Sequence, residues 1–239
     1  MKKFSVILLA VFCCSVSSAQ KINDPNAELR EAKNFHAIKL SSAFDVYISQ
    51  SDEESVAVSA SEKKYMEEIE VKVDGGVLII GLKRNGLLKK WNDSKLKLKA
   101  YISFKSIDKL DVSGACDVFV QGVIKGNNLK IVLSGASDVR GEFDIQKMQM
   151  HMSGASDITL KGVVSNLSIE GSGASTFKGY DLKTDYCDID ISGASTVQIT
   201  VNKELSAKAS GASDIRYRGE GLIRDLKTNG SSSVNRSKS

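Results

Sequence analysis

The side chains in this sequence with the most chemical potential come in rows. Asp117, Asp138, Asp157 and Asp214 occupy one position of a recurring hexapeptide. Its copies begin at Ser113 (SGACDV), Ser134 (SGASDV), Ser153 (SGASDI), Ser172 (SGASTF), Ser192 (SGASTV), Ser210 (SGASDI) and Asn229 (NGSSSV). Stacked carboxylates could form a calcium ladder, and repeated serines could supply a nucleophile. Neither chemistry fits. Thr176 and Thr196 interrupt the acidic column in consecutive copies, and calcium-binding β-helix repeats are shorter, with denser Gly-Asp patterns. No serine sits in the strand–nucleophile–helix setting of a hydrolase. Asp, Thr and Ser can all accept a backbone N–H in a turn, so these columns are expected to cap corners, with no metal, no cofactor and no catalytic residue. His36 and His151 are the only histidines, and His151 falls at an outward strand position among unlike neighbours.

Successive copies start 18 to 21 residues apart. A near-constant period of about 19 residues predicts an all-β solenoid over residues 106–236, each coil stacking on the last. Three residues before each copy stand Leu110, Ile131, Met150, Ile169, Ile189, Ala207 and Leu226; at the sixth position stand Val118, Val139, Ile158, Phe177, Val197, Ile215 and Val234. Like apolar residues at matching positions should stack into a continuous core. The glycine column, Gly114 to Gly230, marks a corner in every coil. The alanines at the third position are expected to pack inside and the serines to be small corner residues. Coils this short leave no long loops to wall a catalytic cleft.

Ahead of the repeats the texture differs. Residues 34–105 read as a more irregular N-terminal β region continuous with the solenoid and covering its end. Phe44–Ile48, Val56–Val58 and Ile69–Val73 alternate as half-buried strands do, and Asp74-Gly75-Gly76 is a turn signal. Residues 61–68 could form one helical turn with Ser61 as its cap. Ser41–Val46 looks like a worn copy of the hexapeptide, 72 residues before Ser113. The Lys83–Asp93 stretch carries Lys83, Arg84, Lys90 and the only tryptophan, Trp91. It reads either as a hairpin loop folded back on the sheet or as a contact loop for a glycan or anionic surface.

The 239-residue chain opens with Lys2 and Lys3, an apolar run and small residues at Ser17 and Ala19. These predict a signal peptide over residues 1–19, cut after Ala19, and export to the periplasm, outer surface or medium. Cys13 and Cys14 raise a lipoprotein anchor as the alternative, but Phe12 and Cys13 stand where a small residue is expected. The apolar run is too short to span a membrane. Residues 20–33 form a polar leader, expected to be partly disordered, and residues 237–239 a tail. Without Lys2 and Lys3 the chain has 31 basic and 29 acidic residues, a net of +2, far from the basic excess of a nucleic-acid binder. Cys116 and Cys187 remain, 71 residues apart. Over three to four coils spaced ~4.8 Å that is roughly 17 Å, too far for a disulfide, so both should be free, packed thiols.

Recognition is expected on outward columns. One and three residues past the valine column lie Phe119 and Gln121, Arg140 and Glu142, Thr159 and Lys161, Lys178 and Tyr180, Gln198 and Thr200, and Arg216 and Arg218. Five of these twelve are basic and one acidic, a bias suited to an acidic polysaccharide or lipid headgroups, although a merely solvated face would look much the same. The candidate binding residues are therefore Lys83, Arg84, Lys90, Trp91, Arg140, Lys161, Lys178, Tyr180, Arg216 and Arg218.

The apparent signal peptide, the FDVYI strand, the DGGVLII hairpin and the SGASD train together resemble the bacterial family called putative auto-transporter adhesin, head GIN domain. The resemblance spans roughly residues 34–236. It implies a single-stranded, right-handed parallel β-helix similar in outline to the pectin-lyase-like fold, and secreted or envelope proteins without an agreed activity or catalytic residues. An autotransporter head is followed by a membrane barrel, and the five residues beyond Val234 hold none; adhesion would then need a partner or a soluble mode of action. The expected function is a non-enzymatic, adhesin-like protein touching glycans or envelope and surface proteins. The alternatives are a carbohydrate-active enzyme of pectin-lyase-like fold and an envelope scaffold.

Overall fold

The computed structural model describes residues 24–83 and 96–237. The apparent signal peptide, and Arg84, Lys90 and Trp91 of the Lys83–Asp93 stretch, lie outside the described residues. Strands make up 67% of the structure and helix 3%, in a β-solenoid of about seven turns.

Eight shorter strands precede the five long ones that form its body: β9 (Asp117–Leu133), β10 (Asp138–Met152), β11 (Asp157–Gly171), β12 (Thr176–Ile191) and β13 (Thr196–Ala209). Each pairs in parallel with the next. Along β10, inward residues alternate with outward ones except at two corners, Arg140–Glu142 and Gln146-Lys147, where consecutive residues lie outside the core. The chain thus bends into short sides whose inner residues share one core. The register matches the hexapeptide columns: Val118, Val139, Ile158, Phe177, Val197, Ile215 and Val234 stack, and so do Leu110, Ile131, Met150, Ile169, Ile189, Ala207 and Leu226. Slipping one coil by a residue would turn its apolar set outward, so identical copies stack in register.

The corner corrects one inside–outside assignment. The seven column glycines, from Gly114 to Gly230, have φ between 73° and 89°, a left-handed turn that keeps the glycine outside while the buried positions stay in phase across it, as at Leu133, Ser137 and Val139. The third-position alanines, expected to pack, are exposed; the fourth position points inward instead, where Ser137, Ser156, Ser175, Ser195 and Ser213 are buried. Except at Ser175, their hydroxyls fold back on the corner, as when Ser213 Oγ donates to Ser210 O at 2.8 Å and Ser195 Oγ to Ser192 O at 3.1 Å. The exposed alanines keep the ladder unbroken through the corner: Ala136, Ala155, Ala174, Ala194 and Ala212 each donate their N–H to the preceding coil's glycine carbonyl at 2.8 Å. Cys116 takes the serine's place in the first copy; it and Cys187 are buried and free.

The N-terminal region joins the same sheet. Strand β2 (Ala37–Leu40), a corner at residues 41–43 and β3 (Asp45–Gln50) form a full coil directly beside β8 (Lys109–Val112) and β9. The worn copy is thus the immediate neighbour of the first clear one, and the 72-residue separation spans a single coil step. Its corner keeps the glycine geometry with a serine: Ser42 has φ 81° and its carbonyl accepts the Ala115 N–H. The intervening chain continues both sides of the coil. Strand β6 (Val77–Leu82) pairs with β2, and β7 (Leu98–Phe104) with β3.

Direction then reverses. Strand β4 (Ser55–Ala60) runs antiparallel to β7, β5 (Ile69–Asp74) antiparallel to β6, and β1 (Glu28–Arg30) antiparallel to β4. This closing layer includes leader residues expected to be partly disordered. Residues Lys63–Glu68 make a 3-10 turn without a side-chain cap; Ser61 Oγ instead accepts the Lys97 N–H. At the other end lie β14 (Asp214–Arg218), β15 (Leu222–Thr228) and β16 (Ser233–Arg236), with β14 and β15 beside β13 and β16 beside β14.

Candidate functional site

The side of the solenoid that follows the SGAS corner holds the outward columns. Its aspartate column runs in register through Asp45, Asp117, Asp138 and Asp157, then Thr176, Thr196 and Asp214. These carboxylates do not act as corner caps. Asp138 pairs with Arg140 at 2.9 Å, Asp214 with Arg216 at 2.6 Å, and Asp157 with Lys178 at 3.9 Å. Glu142 likewise holds Lys161 at 3.0 Å. The basic bias read from two columns is therefore balanced by a third on the same side, because a strand's alternate residues all face one way. Burial, then the neighbouring Asp138 and Asp45, pushes the Asp117 carboxyl up, offset only in part by Arg140. Among the described residues no cluster of three or more His, Cys, Asp or Glu could hold a metal ion.

Two residues further along each strand runs a row that changes character. It reads Tyr101, Tyr47 and Phe119, then Arg140, Thr159, Lys178, Gln198 and Arg216. The three rings stack at 5.3 and 5.4 Å between centroids, and the Arg140 guanidinium lies over Phe119 at 5.9 Å. Stacking ring on ring leaves edges rather than faces toward solvent. Tyr101 also donates its phenol to Asp24 at 2.9 Å; burial, reinforced by this bond, pushes that phenol well above its usual range. This ladder escaped sequence reasoning because its members are 54 and 72 residues apart, although their shared place after an aspartate or lysine column is visible once β3 and β7 are aligned.

Beyond the rings the side opens into a groove of about 400 Å3. Arg140, Thr159, Lys161, Lys178, Tyr180, Asp181 and Gln198 line it, around Gly141 and Leu160. Four sequence candidates (Arg140, Lys161, Lys178 and Tyr180) therefore converge here. Arg218 backs one of them, its guanidinium 3.9 Å from the Tyr180 ring centroid, while the Tyr180 hydroxyl meets Ser237 Oγ at 2.9 Å. Arg216 belongs to the same side but does not line the groove. Lys83 is exposed and apart from it, its backbone N–H bonded to Glu68 O.

A second, smaller groove of about 280 Å3 lies on the side formed by the later halves of the coils, with Lys147, Asn166, Tyr186, Asp188 and Glu204 among its lining. The histidines stand apart from both grooves, His36 paired with Asp108 at 3.0 Å and His151 with Glu170 at 2.8 Å.

Comparison with known proteins places this geometry in a family. The sequence model described as putative auto-transporter adhesin, head GIN domain, matches residues 34–221. Among solved structures, a putative adhesin from Bacteroides fragilis is similar at a TM-score of 0.79 and 17% identity, over 88% of this chain and 95% of that one. A putative adhesin from Parabacteroides merdae gives 0.67 and 18%, over 89% and 95%. A putative lipid binding protein from Parabacteroides distasonis gives 0.64 and 21%, over 90% and 98%. At such identities these likenesses establish the fold. No curated protein matches the chain in sequence.

Proposed function

The chain belongs to the putative auto-transporter adhesin, head GIN domain family, and from that premise we propose that it is an exported, non-enzymatic, adhesin-like protein that binds surface glycans along the side of its solenoid. The observation that carries this reading is the groove where Arg140, Lys161, Lys178 and Tyr180 meet. Its cations are already partnered by Asp138, Glu142 and Asp157 in exposed ion pairs. Such pairs contribute only about 0 to 1 kcal/mol, so a ligand rich in hydroxyls can open them at little cost. The alternating donors and acceptors suit a polyhydroxylated chain of low net charge better than a strongly acidic one. Two-carboxylate glycoside hydrolysis needs a pair flanking the scissile bond, whereas the carboxylates beside this groove's cations, Asp138, Glu142 and Asp157, are held in ion pairs with them.

The test is a glycan array probed with the purified chain, followed by titration of any hit. Arg140→Ala combined with Lys178→Ala should weaken the hit about tenfold or more, as expected for losing two charge-assisted contacts. Binding that survives this double change moves the site elsewhere. An array without hits, repeated with a panel of envelope extracts, removes the glycan reading.

A further inference from the structure

The two ends of the solenoid are finished differently. At the N-terminal end the reversed strands β1, β4 and β5 close the stack. Strands paired on one side only occur at both ends among the described residues, β1 and β5 at the first and β15 and β16 at the other, where β15 pairs with β13 alone. A free strand edge offers a row of unpaired N–H and C=O groups to another chain. Here the edge is also apolar. Of the six large hydrophobics exposed among the described residues, Leu222 (75%), Ile223 (45%) and Leu226 (43%) belong to this one strand. Ile223 and Leu226 align with the fully buried Leu205 and Ala207, so both occupy core columns that stop uncovered.

We propose that a second copy of this chain covers this end, β15 pairing antiparallel with β15 of the second copy about a two-fold axis. A two-fold contact must be self-complementary, and the run Leu222-Ile223-Arg224-Asp225-Leu226-Lys227 is. Setting Arg224 opposite Asp225 of the second copy places Ile223 opposite Leu226 of the second copy, and each contact occurs twice. The apolar pair lies on the core side, which carries the hydrophobic column from one solenoid into the next, while the two Arg–Asp pairs flank the axis, joining or replacing the exposed pairs that Arg224 makes with Glu204 and Asp225 with Lys227, each at 3.3 Å. A one-residue slip either way sets Arg224 against Arg224, or Asp225 against Asp225, and like charges opposite one another destabilise a strand pair. The register is thus chosen by charge as well as by apolar contact. Dimerisation would present two copies of the side groove on one longer rod, a bivalent arrangement that raises avidity without new contacts; the proposal itself does not depend on what the groove binds.

Sedimentation velocity of the purified chain over a concentration series tests this. A reversible monomer–dimer equilibrium is expected. Leu226→Lys should leave a monomer with unchanged far-ultraviolet circular dichroism. Arg224→Asp or Asp225→Arg alone should weaken the dimer about tenfold, since each spoils two symmetric pairs worth up to about 1 kcal/mol apiece, and the two together should restore it. A monomer at every concentration overturns the proposal, as does open-ended assembly, or a dimer indifferent to all these substitutions. Because the charge exchange is read as rescue, a folding defect in Leu226→Lys would not blunt the test.

Discussion

Gly154→Ala tests most directly how the corner works. Gly154 has φ 85°, and a Cβ placed on it would fall well inside 3.0 Å of the Gly135 carbonyl oxygen. That oxygen accepts the Ala155 N–H at 2.8 Å, so the methyl must displace the bond that carries the ladder through the corner. The left-handed conformation costs about 1 to 2 kcal/mol for a residue bearing a Cβ, and a displaced backbone bond in a packed corner about 1 to 3 kcal/mol. The total is about 2 to 5 kcal/mol, a fall in melting temperature of about 4 to 20 °C for a domain of this size. Ser42 separates the two contributions: it adopts the same φ, 81°, in the same column, and its hydroxyl accepts the Leu82 N–H at 3.2 Å. Backbone conformation alone is therefore tolerated. Gly230→Ala supplies the internal control, because there the Cβ would stop 2.8 Å from the Gly211 oxygen in the last described corner. Urea denaturation followed by circular dichroism gives the stability. Amide exchange at Ala155 and Ala174 shows whether the loss is local, as nearest-neighbour coupling in a solenoid allows. A Gly154→Ala protein within about 1 kcal/mol of the parent, or one no weaker than Gly230→Ala, would refute the reasoning.

Within the buried serine column, Ser213→Ala should cost about 1 kcal/mol for its 2.8 Å bond to Ser210 O. Ser175→Ala should be neutral or stabilising, since the Ser175 hydroxyl is buried without a partner; equal losses for both would contradict the assignment, and denaturant midpoints decide it. Burial and the facing Asp138 and Asp45 raise the Asp117 pKa, so the folded state holds that proton more tightly than the unfolded one. The penalty is absent below the unfolded carboxylate range and complete above the folded pKa, so Asp117→Asn should stabilise the protein at neutral pH and not in acid. Melting curves across pH check this, and a gain that persists in acid would count against it. Burial raises the pKa of both Cys116 and Cys187. Neither should react with an aromatic disulfide reagent in the native protein at mildly alkaline pH, and both should react in denaturant, as counted by absorbance or mass.

The sequence alone determined the repeat, its columns and their register. These are set locally: a hexapeptide with glycine at one corner and valine at its sixth position can stack on its copy in only one way without turning apolar residues outward. It also determined that Arg140, Lys161, Lys178 and Tyr180 face outward on one side. Tertiary structure decided what periodicity cannot encode. The positive φ at each glycine keeps the glycine itself outside although it lies in phase with the buried columns, while the serines two residues on face the core and the alanines stay exposed. The worn copy at Ser41 proves adjacent to Ser113 because the intervening chain doubles back to close the end, and no count of residues distinguishes that path from several regular coils. The aromatic ladder of Tyr101, Tyr47 and Phe119, the balancing of Arg and Lys by the aspartate column, and the uncovered edge of β15 all depend on which strands lie side by side. That adjacency comes from the fold as a whole, through contacts between residues far apart in the chain.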